Sequence, residues 1–453
     1  MSNDELAPVR QNTSSDMSTV TAEDEVVDIC RALVRIDSQN YGDGSGPGER
    51  EAAELVMRLL DEVGITAEYI ETAPRRASVI ARIPGKDPSR PALVLHGHLD
   101  VVPAIADEWS VPPFAAEVRD DMIWGRGTVD MKDMDAMILA IVREFARTGV
   151  QPSRDVILAF FADEEAGGPM GAQFIVDNHA DLFDGATEAI SEVGGFSVAV
   201  AGQRVYLLQT AEKSLAWLNL VTRGAAGHGS QDATENVIVD LADALTRIGR
   251  HRWPQRLTPT VRRLLQGVAD LLGVTFNPDD PEQVTELISA LGPAKRFVGA
   301  SVRTTTNPTR LNAGYKDNVI PSRAQATLDA RFLPGSVDED MAQLARLAGP
   351  QVEIETIHAD VAVEAPWEAP VVDSMIAALH RHDPGAPVLP YMLSAGTDNK
   401  SLSRLGIQGY GFVPLQLPED LDFTGLFHGV DERVPIAALQ FGVRVLRDLL
   451  QDC

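Results

Sequence analysis

Val156-Ile157-Leu158-Ala159-Phe160-Phe161 is a run of six apolar side chains with no polar alternation. A run this short and this apolar reads as a strand covered on both faces, because a strand with one wet face alternates. Upstream, a helical pattern extends from about Met131 to Thr148, and before it stands another apolar run, Ala92-Leu93-Val94-Leu95. Downstream, a further helix starts near Gly171. Buried runs alternating with amphipathic helices indicate an α/β fold whose sheet is mainly parallel and covered by helices on both faces.

Further out towards the N-terminus, Thr21 to Ser38 carries apolar residues at helical spacing, and Thr21 with Asp24 offers a capping-box-like start. A second helix, Glu49 to Val63, stops at Gly64, and strands are expected at Ala67 to Tyr69 and Ser78 to Ile83. Past residue 212 the pattern changes: Ser214 to Thr222 alternates like a half-buried strand, Asn236 to Ile248 reads as a helix, and Ala324 to Phe332 alternates again. Between them, Trp253 to Pro308 is rich in Pro, Asp, Thr and Gly and reads as irregular loops with one or two helices. This order suits a smaller α+β domain inserted into the larger one. The expected division is a flexible tail at 1–20, a catalytic domain in two parts at 21–212 and 337–453, and the insert at 213–336. The second part ends in a helix from Pro435 to Leu450, with Ile436, Leu439, Val443 and Leu446 on one face.

The chain has 453 residues, 44% hydrophobic and 23% charged, as soluble globular proteins do. Its net charge of -27 would repel a polyphosphate and speaks against nucleic acid as a partner. No apolar run approaches the roughly twenty residues needed to cross a bilayer, so no membrane partner is expected either. Residues 1–20 lack the basic start and apolar core of a secretory signal, and a cytoplasmic location is expected. With only Cys30 and Cys453 present, neither a disulfide framework nor a thiolate metal site can be built. Any metal must rest on oxygen and nitrogen.

Such ligands collect at the ends of the elements. Ala92 to Leu95 leads into His96-Gly97-His98-Leu99-Asp100, where alternation puts His98 and Asp100 on one side. His98 can ligate a metal while Asp100 orients its ring, although a core histidine near a surface aspartate gives the same letters. Trp124-Gly125-Arg126-Gly127-Thr128-Val129-Asp130-Met131-Lys132 sets Asp130 before a helix, where it can bridge cations or simply cap. Asp163-Glu164-Glu165 follows the buried strand directly. These are three mutually repelling acids in need of a cation or proton, or else an acidic first helical turn. Glu192 in Ser191-Glu192-Val193-Gly194-Gly195 and His428 in Phe427-His428-Gly429-Val430-Asp431-Glu432 bring the set to two histidines and three or four carboxylates. That suffices for two zinc ions sharing one carboxylate.

His96-Gly97-His98-Leu99-Asp100-Val101-Val102-Pro103, Gly125 to Lys132, Asp163-Glu164-Glu165, Glu192 and His428, in that order, resemble the di-zinc metallopeptidase family. That family includes aminoacylases, glutamate carboxypeptidase, carnosine dipeptidases and succinyl-diaminopimelate desuccinylase. The resemblance implies that His98, Asp130 and Glu192 bind one zinc, that Asp130, Glu165 and His428 bind the other, and that cobalt or manganese could stand in. It implies that Asp100 supports His98 and that Glu164 is the general base. It also implies that the insert is a ferredoxin-like lid through which two copies dimerise. Gly224 to Ser230 and Asn318-Val319-Ile320-Pro321 resemble lid signatures, so His228 and Asn318 would enter the neighbouring subunit's site, unless His228 is an ordinary loop histidine. Arg331, with the turn Gly396-Thr397-Asp398, would bind a substrate carboxylate; an arginine in a structural salt bridge is the competing reading.

Two positions depart from the family's pattern: Asp133 stands where glycine is usual, and His228 is followed by Gly229-Ser230-Gln231. The expected activity is hydrolysis of the amide bond of dipeptides or N-acyl amino acids, with desuccinylation or acetylornithine-type deacylation as the alternative. A catalytically silent metal-binding dimer is the non-enzymatic alternative.

Overall fold

The computed structural model describes residues 20–453, so nearly all of the tail expected at 1–20 lies outside the described residues. Ten strands form one large sheet. At its centre Val156–Phe161, Ala92–His98, Ala186–Ser191 and Gln408–Gly411 lie side by side and parallel. Antiparallel strands extend both sides: Arg76–Ile83 and Ala67–Ala73 beyond Val156–Phe161, and Gln203–Glu212 beyond Gln408–Gly411.

Residues 156–161 behave as a strand covered on both faces. Val156, Leu158 and Phe160 join Leu93 and Leu95 in one core, against the helices Ala22–Val34, Lys132–Thr148 and Ile436–Asp452. Ile157, Ala159 and Phe161 join Val94 in a second core on the other face, against Ala172–Asn178, Leu402 and Ile407. The period of two along a strand sends alternate side chains to opposite sides, and with both sides dry neither set can be polar. The helix Ala22–Val34 starts in a true capping box, Thr21 and Asp24 each accepting from the other's backbone N–H.

A second sheet, of four antiparallel strands, runs Thr305–Ala313, Arg323–Phe332, Ser214–Arg223, Val352–Ala359. With the helices Val237–Arg250 and Val337–Ala348 these strands follow one another in the chain as βαββαβ, the ferredoxin-like arrangement. Its own core includes Leu218, Leu220, Leu241, Leu328 and Leu344.

Two sequence-based boundaries need correction. The unit does not end at residue 336: Val337–Ala348 packs on Val237–Arg250, and Val352–Ala359 pairs with Ser214–Arg223 as an edge strand. The stretch 253–308 is also more ordered than its composition indicates, with helices at Pro259–Leu272, Pro281–Ser289 and Lys295–Val298. Thr258 and Asp280 cap the first two, each followed by proline at a first-turn position where no N–H is needed. Val261, Leu264, Leu265 and Val268 pack into the core of the large sheet, so this part of the insert belongs with the large sheet in space.

Candidate metal centre

Val156–Phe161, Ala92–His98 and Ala186–Ser191 end at one edge, where His98, the last residue of its strand, meets Asp163 to Glu165 and Glu192 just past the ends of theirs. Adjacent strands are about 4.8 Å apart, so side chains leaving neighbouring strand ends reach a common centre. Asp130 arrives from the loop before Lys132–Thr148, and His428 from the loop before the last helix.

Asp130 stands between the two imidazoles. Its Oδ1 is 3.0 Å from His98 Nε2 and its Oδ2 is 3.2 Å from His428 Nε2. Glu192 Oε2 lies 3.5 Å from His98 Nε2, and Glu165 Oε2 lies 3.2 Å from His428 Nε2. Glu164 Oε2 is 4.0 Å from His98 Nε2, outside hydrogen-bond range. The helix after Asp130 is capped by Met131 without any side-chain bond, so Asp130 is not spent as a cap. Asp163-Glu164-Glu165 does not open an α-helix; Glu164–Ala166 is a single 3-10 turn.

Backbone conformation is unusual at His428 and beside the other candidate ligands. Asp163, Val193 and His428 have φ of 67°, 53° and 57°. Left-handed backbone costs non-glycine residues about 1–3 kcal/mol and is tolerated where surroundings over-determine it, as functional sites do.

Electrostatics show what the cluster needs. Burial opposes protonation of His98, yet the pull of Glu192, Asp130 and Glu164 wins and holds its pKa well above the ordinary imidazole range. Hydrogen bonds to Asp130 and Glu165 push His428 up to about 11. Burial, and then the Glu192 carboxylate, push Glu164 well above the usual carboxylate range. Among the described residues no lysine or arginine forms an ion pair with Asp130, Glu164, Glu165 or Glu192, and Glu165 Oε1 is buried without a partner. A crowd of carboxylates that raises the proton affinity of both histidines, with an oxygen left over, suits multivalent cations. His98, Glu164 and Glu192, and likewise His98, Asp130 and Glu165, bring ligand atoms within 4.8 Å of one another. The imidazole and carboxylate donors suit zinc.

Asp100, expected to support His98, does meet it: His98 Nδ1 is 3.0 Å from the Asp100 backbone carbonyl and 3.6 Å from its carboxylate. The carboxylate also accepts from the backbone N–H of Glu164 and of Glu165, each at 3.1 Å, and from Asn40 Nδ2 at 2.9 Å, contacts the sequence did not indicate. Glu432 is more surprising. It accepts from the backbone of Gly127, Val129 and Asp130 and from Arg126, and so holds the loop that presents Asp130. The signal was its place four residues after His428. Lys132 is fully buried and donates to Leu33, Ile36 and Ser38, a structural role. Asp133, the departure from the family pattern, is buried with both oxygens unpartnered, and burial pushes its pKa well above the usual range, favouring the neutral acid.

Asp130, Glu165, Glu192 and His428 floor a cleft of roughly 480 Å³ between the two sheets. Leu215, Trp217, Phe297 and Phe427 give it apolar surface, Arg331 lies across the strand pair from Leu215, and Gly396, Thr397 and Lys400 also line it. Phe297 and Phe427 meet edge to face with centroids 5.1 Å apart. Arg331 is held by Asp329 through Nε and Nη2, the salt bridge that was its competing reading, while still facing the cleft. His228 and Asn318 do not line this cleft: they are exposed on a short ribbon in which Gly227-His228 pairs with Val319-Ile320.

Residues 94–452 match the model of Peptidase family M20/M25/M40. The chain is similar to an N-fatty-acyl-amino acid synthase/hydrolase of Xenopus tropicalis, at 26% identity over 97% of this chain and 89% of that protein. It is also similar to a probable carboxypeptidase S-like protein of Dictyostelium discoideum, at 31% identity over 79% of this chain and 71% of that one. A solved M20 family metallo-carboxypeptidase of Sulfolobus solfataricus superposes with a TM-score of 0.71 at 20% identity, over 94% of this chain and 99% of that one. Among the described residues no helix is long and apolar enough to cross a membrane.

Proposed function

The chain belongs to peptidase family M20/M25/M40 and is a hydrolase acting on amide bonds, and on that footing we propose that it cleaves dipeptides or N-acyl amino acids carrying a free carboxylate, using two zinc ions. The observation that carries this reading is Asp130, one oxygen towards each histidine, at the floor of a cleft that also contains an uncommitted Glu164. His98, Asp130 and Glu192 would hold one ion, and Asp130, Glu165 and His428 the other. When bound, such a pair polarises the amide carbonyl and lowers the pKa of the attacking water towards neutrality.

Glu164 takes the proton of that water and returns it to the departing amine. Its carboxylate accepts no hydrogen bond from the described residues, while Glu165 is turned to His428, so the two neighbours divide the work between base and ligand. Asp100 makes that division rigid by gripping both backbone N–H groups. Leu215, Trp217, Phe297 and Phe427 would receive an apolar acyl group or side chain. Arg331, Gly396 and Thr397 mark the side where the substrate's carboxylate lies.

We further read the protein as a cytoplasmic homodimer joined through the lid. His228 and Asn318, exposed and outside their own cleft, would reach the partner's site and stabilise the developing oxyanion. The test is a panel of dipeptides, N-acetyl and N-long-chain-acyl amino acids and succinyl-diaminopimelate, assayed after chelation and again after adding zinc. Zinc-dependent cleavage of the first classes is expected. Cleavage of the succinyl compound alone would assign the desuccinylase reading instead.

A further inference from the structure

Asp100 and Asp163 are both buried, beside the turn that carries Glu164 and Glu165. Two buried carboxylates repel each other unless donors stand between them. Asn40, itself buried, supplies those donors: its Nδ2 donates to Asp100 Oδ2 and to Asp163 Oδ1, each at 2.9 Å. Among the described residues no other side chain hydrogen-bonds either carboxylate.

The amide can face only one way. Its Oδ1 accepts from Arg76 Nη2 at 3.0 Å and from Gly42 N at 2.9 Å, so both lone pairs and both N–H groups are used. Arg76 is fixed in turn by an ion pair with the buried Glu49. The Asn40 backbone is set as well, its N–H donating to Val101 O at 2.9 Å, one residue past Asp100. At the other end of the network the two acids hold the turn on both sides. Asp100 accepts from Glu164 N and Glu165 N, and Asp163 Oδ2 accepts from Met170 N at 3.0 Å. Asp163 itself has the left-handed φ of 67°, a conformation that persists only where its surroundings impose it.

We propose that Asn40 is a positioning residue for hydrolysis: by tying Asp100 to Asp163 it fixes the turn between them, and with it the place of Glu164 in the cleft. This rests on the proposed role of Glu164 as the base. Asn40 does not line the cleft, and the side chains that would receive substrate stand on other elements, so its loss falls on turnover rather than on binding.

The test uses Asn40→Ala, which removes both donors, and Asn40→Ser, whose shorter hydroxyl has one proton and cannot bridge the pair. With N-acetyl-phenylalanine and saturating zinc, kcat should fall about 10- to 100-fold, the order that a displacement of about 1 Å costs a positioned group, while KM stays at the parent value. Hydrogen–deuterium exchange of the full chain without added metal reads the turn directly. Amides in residues 163–168 should exchange about tenfold faster in the variants, with the strand Ala186–Ser191 unchanged. Exchange in the turn equal to the parent overturns the proposal, as does acceleration spread evenly over both segments, or a raised KM with kcat kept. Asn40→Ser decides by the same measurements if Asn40→Ala fails to fold. If the parent hydrolyses no amide, the proposed function falls, and exchange in the turn still decides for or against Asn40.

Discussion

Replacing Glu432 by glutamine tests whether a residue that touches no reacting atom holds the metal loop in shape. Glu432 is fully buried. Its Oε1 accepts from Val129 N at 2.6 Å and Asp130 N at 3.1 Å, and its Oε2 from Gly127 N at 3.0 Å and Arg126 Nη1 at 2.7 Å. A glutamine keeps one oxygen for the first pair of donors and turns an NH₂ towards the second. One buried amide then loses its acceptor, at about 1–3 kcal/mol, and one guanidinium loses a charged partner, at about 1.5–3 kcal/mol. The sum is about 2.5–6 kcal/mol, divided between the fold and the placement of Asp130. Each 1.4 kcal/mol that reaches Asp130 weakens metal binding about tenfold. Urea unfolding of the metal-free protein measures the first share, and competition against a chromophoric chelator measures the second. If both stay within about 0.5 kcal/mol of the parent, Glu432 is not the brace described above.

Glu164→Gln should lower kcat about 10²- to 10⁴-fold while metal content, read by elemental analysis, stays at the parent level; lost metal would make Glu164 a ligand instead. Glu165→Ala should behave the opposite way, binding fewer ions per subunit by the same analysis, and a full complement would exclude its ligand role. Burial, and then Arg331, pull the pKa of Lys213 from 10.5 down to about 7. Between those values the unfolded chain carries a proton that the folded chain has released, so stability rises with pH across that window. Urea titrations of Lys213→Met from about pH 7 to about pH 10 should show the rise flattened; an identical slope would mean that Lys213 does not titrate there.

Much of this was legible because the physics was local. Val156 to Phe161 announced a strand dry on both faces, and Thr21 with Asp24 announced a helix start, since each signal lies within a few residues. The metal-site candidates were legible for a related reason: strand ends and helix starts put His98, Asp130, Glu165 and Glu192 at motif-sized spacings, and the structure brings them together with His428. What escaped were pairings across long stretches of chain. Glu432 braces a loop 302 to 306 residues away, and nothing in either segment names the other. Lys132, Asp133 and Asp135 are charged side chains in the first turn of their helix, yet all three are buried. The helix Pro259–Leu272 was hidden by the composition around it, and its packing on the large sheet follows from tertiary contacts alone.

His428 and Glu432 sit within the last thirty residues, yet one faces Asp130 and the other braces its loop. The short segment between them therefore carries two jobs at once, presenting an imidazole to Asp130 and fastening the turn that aims Asp130, so any shift of that segment displaces both partners together.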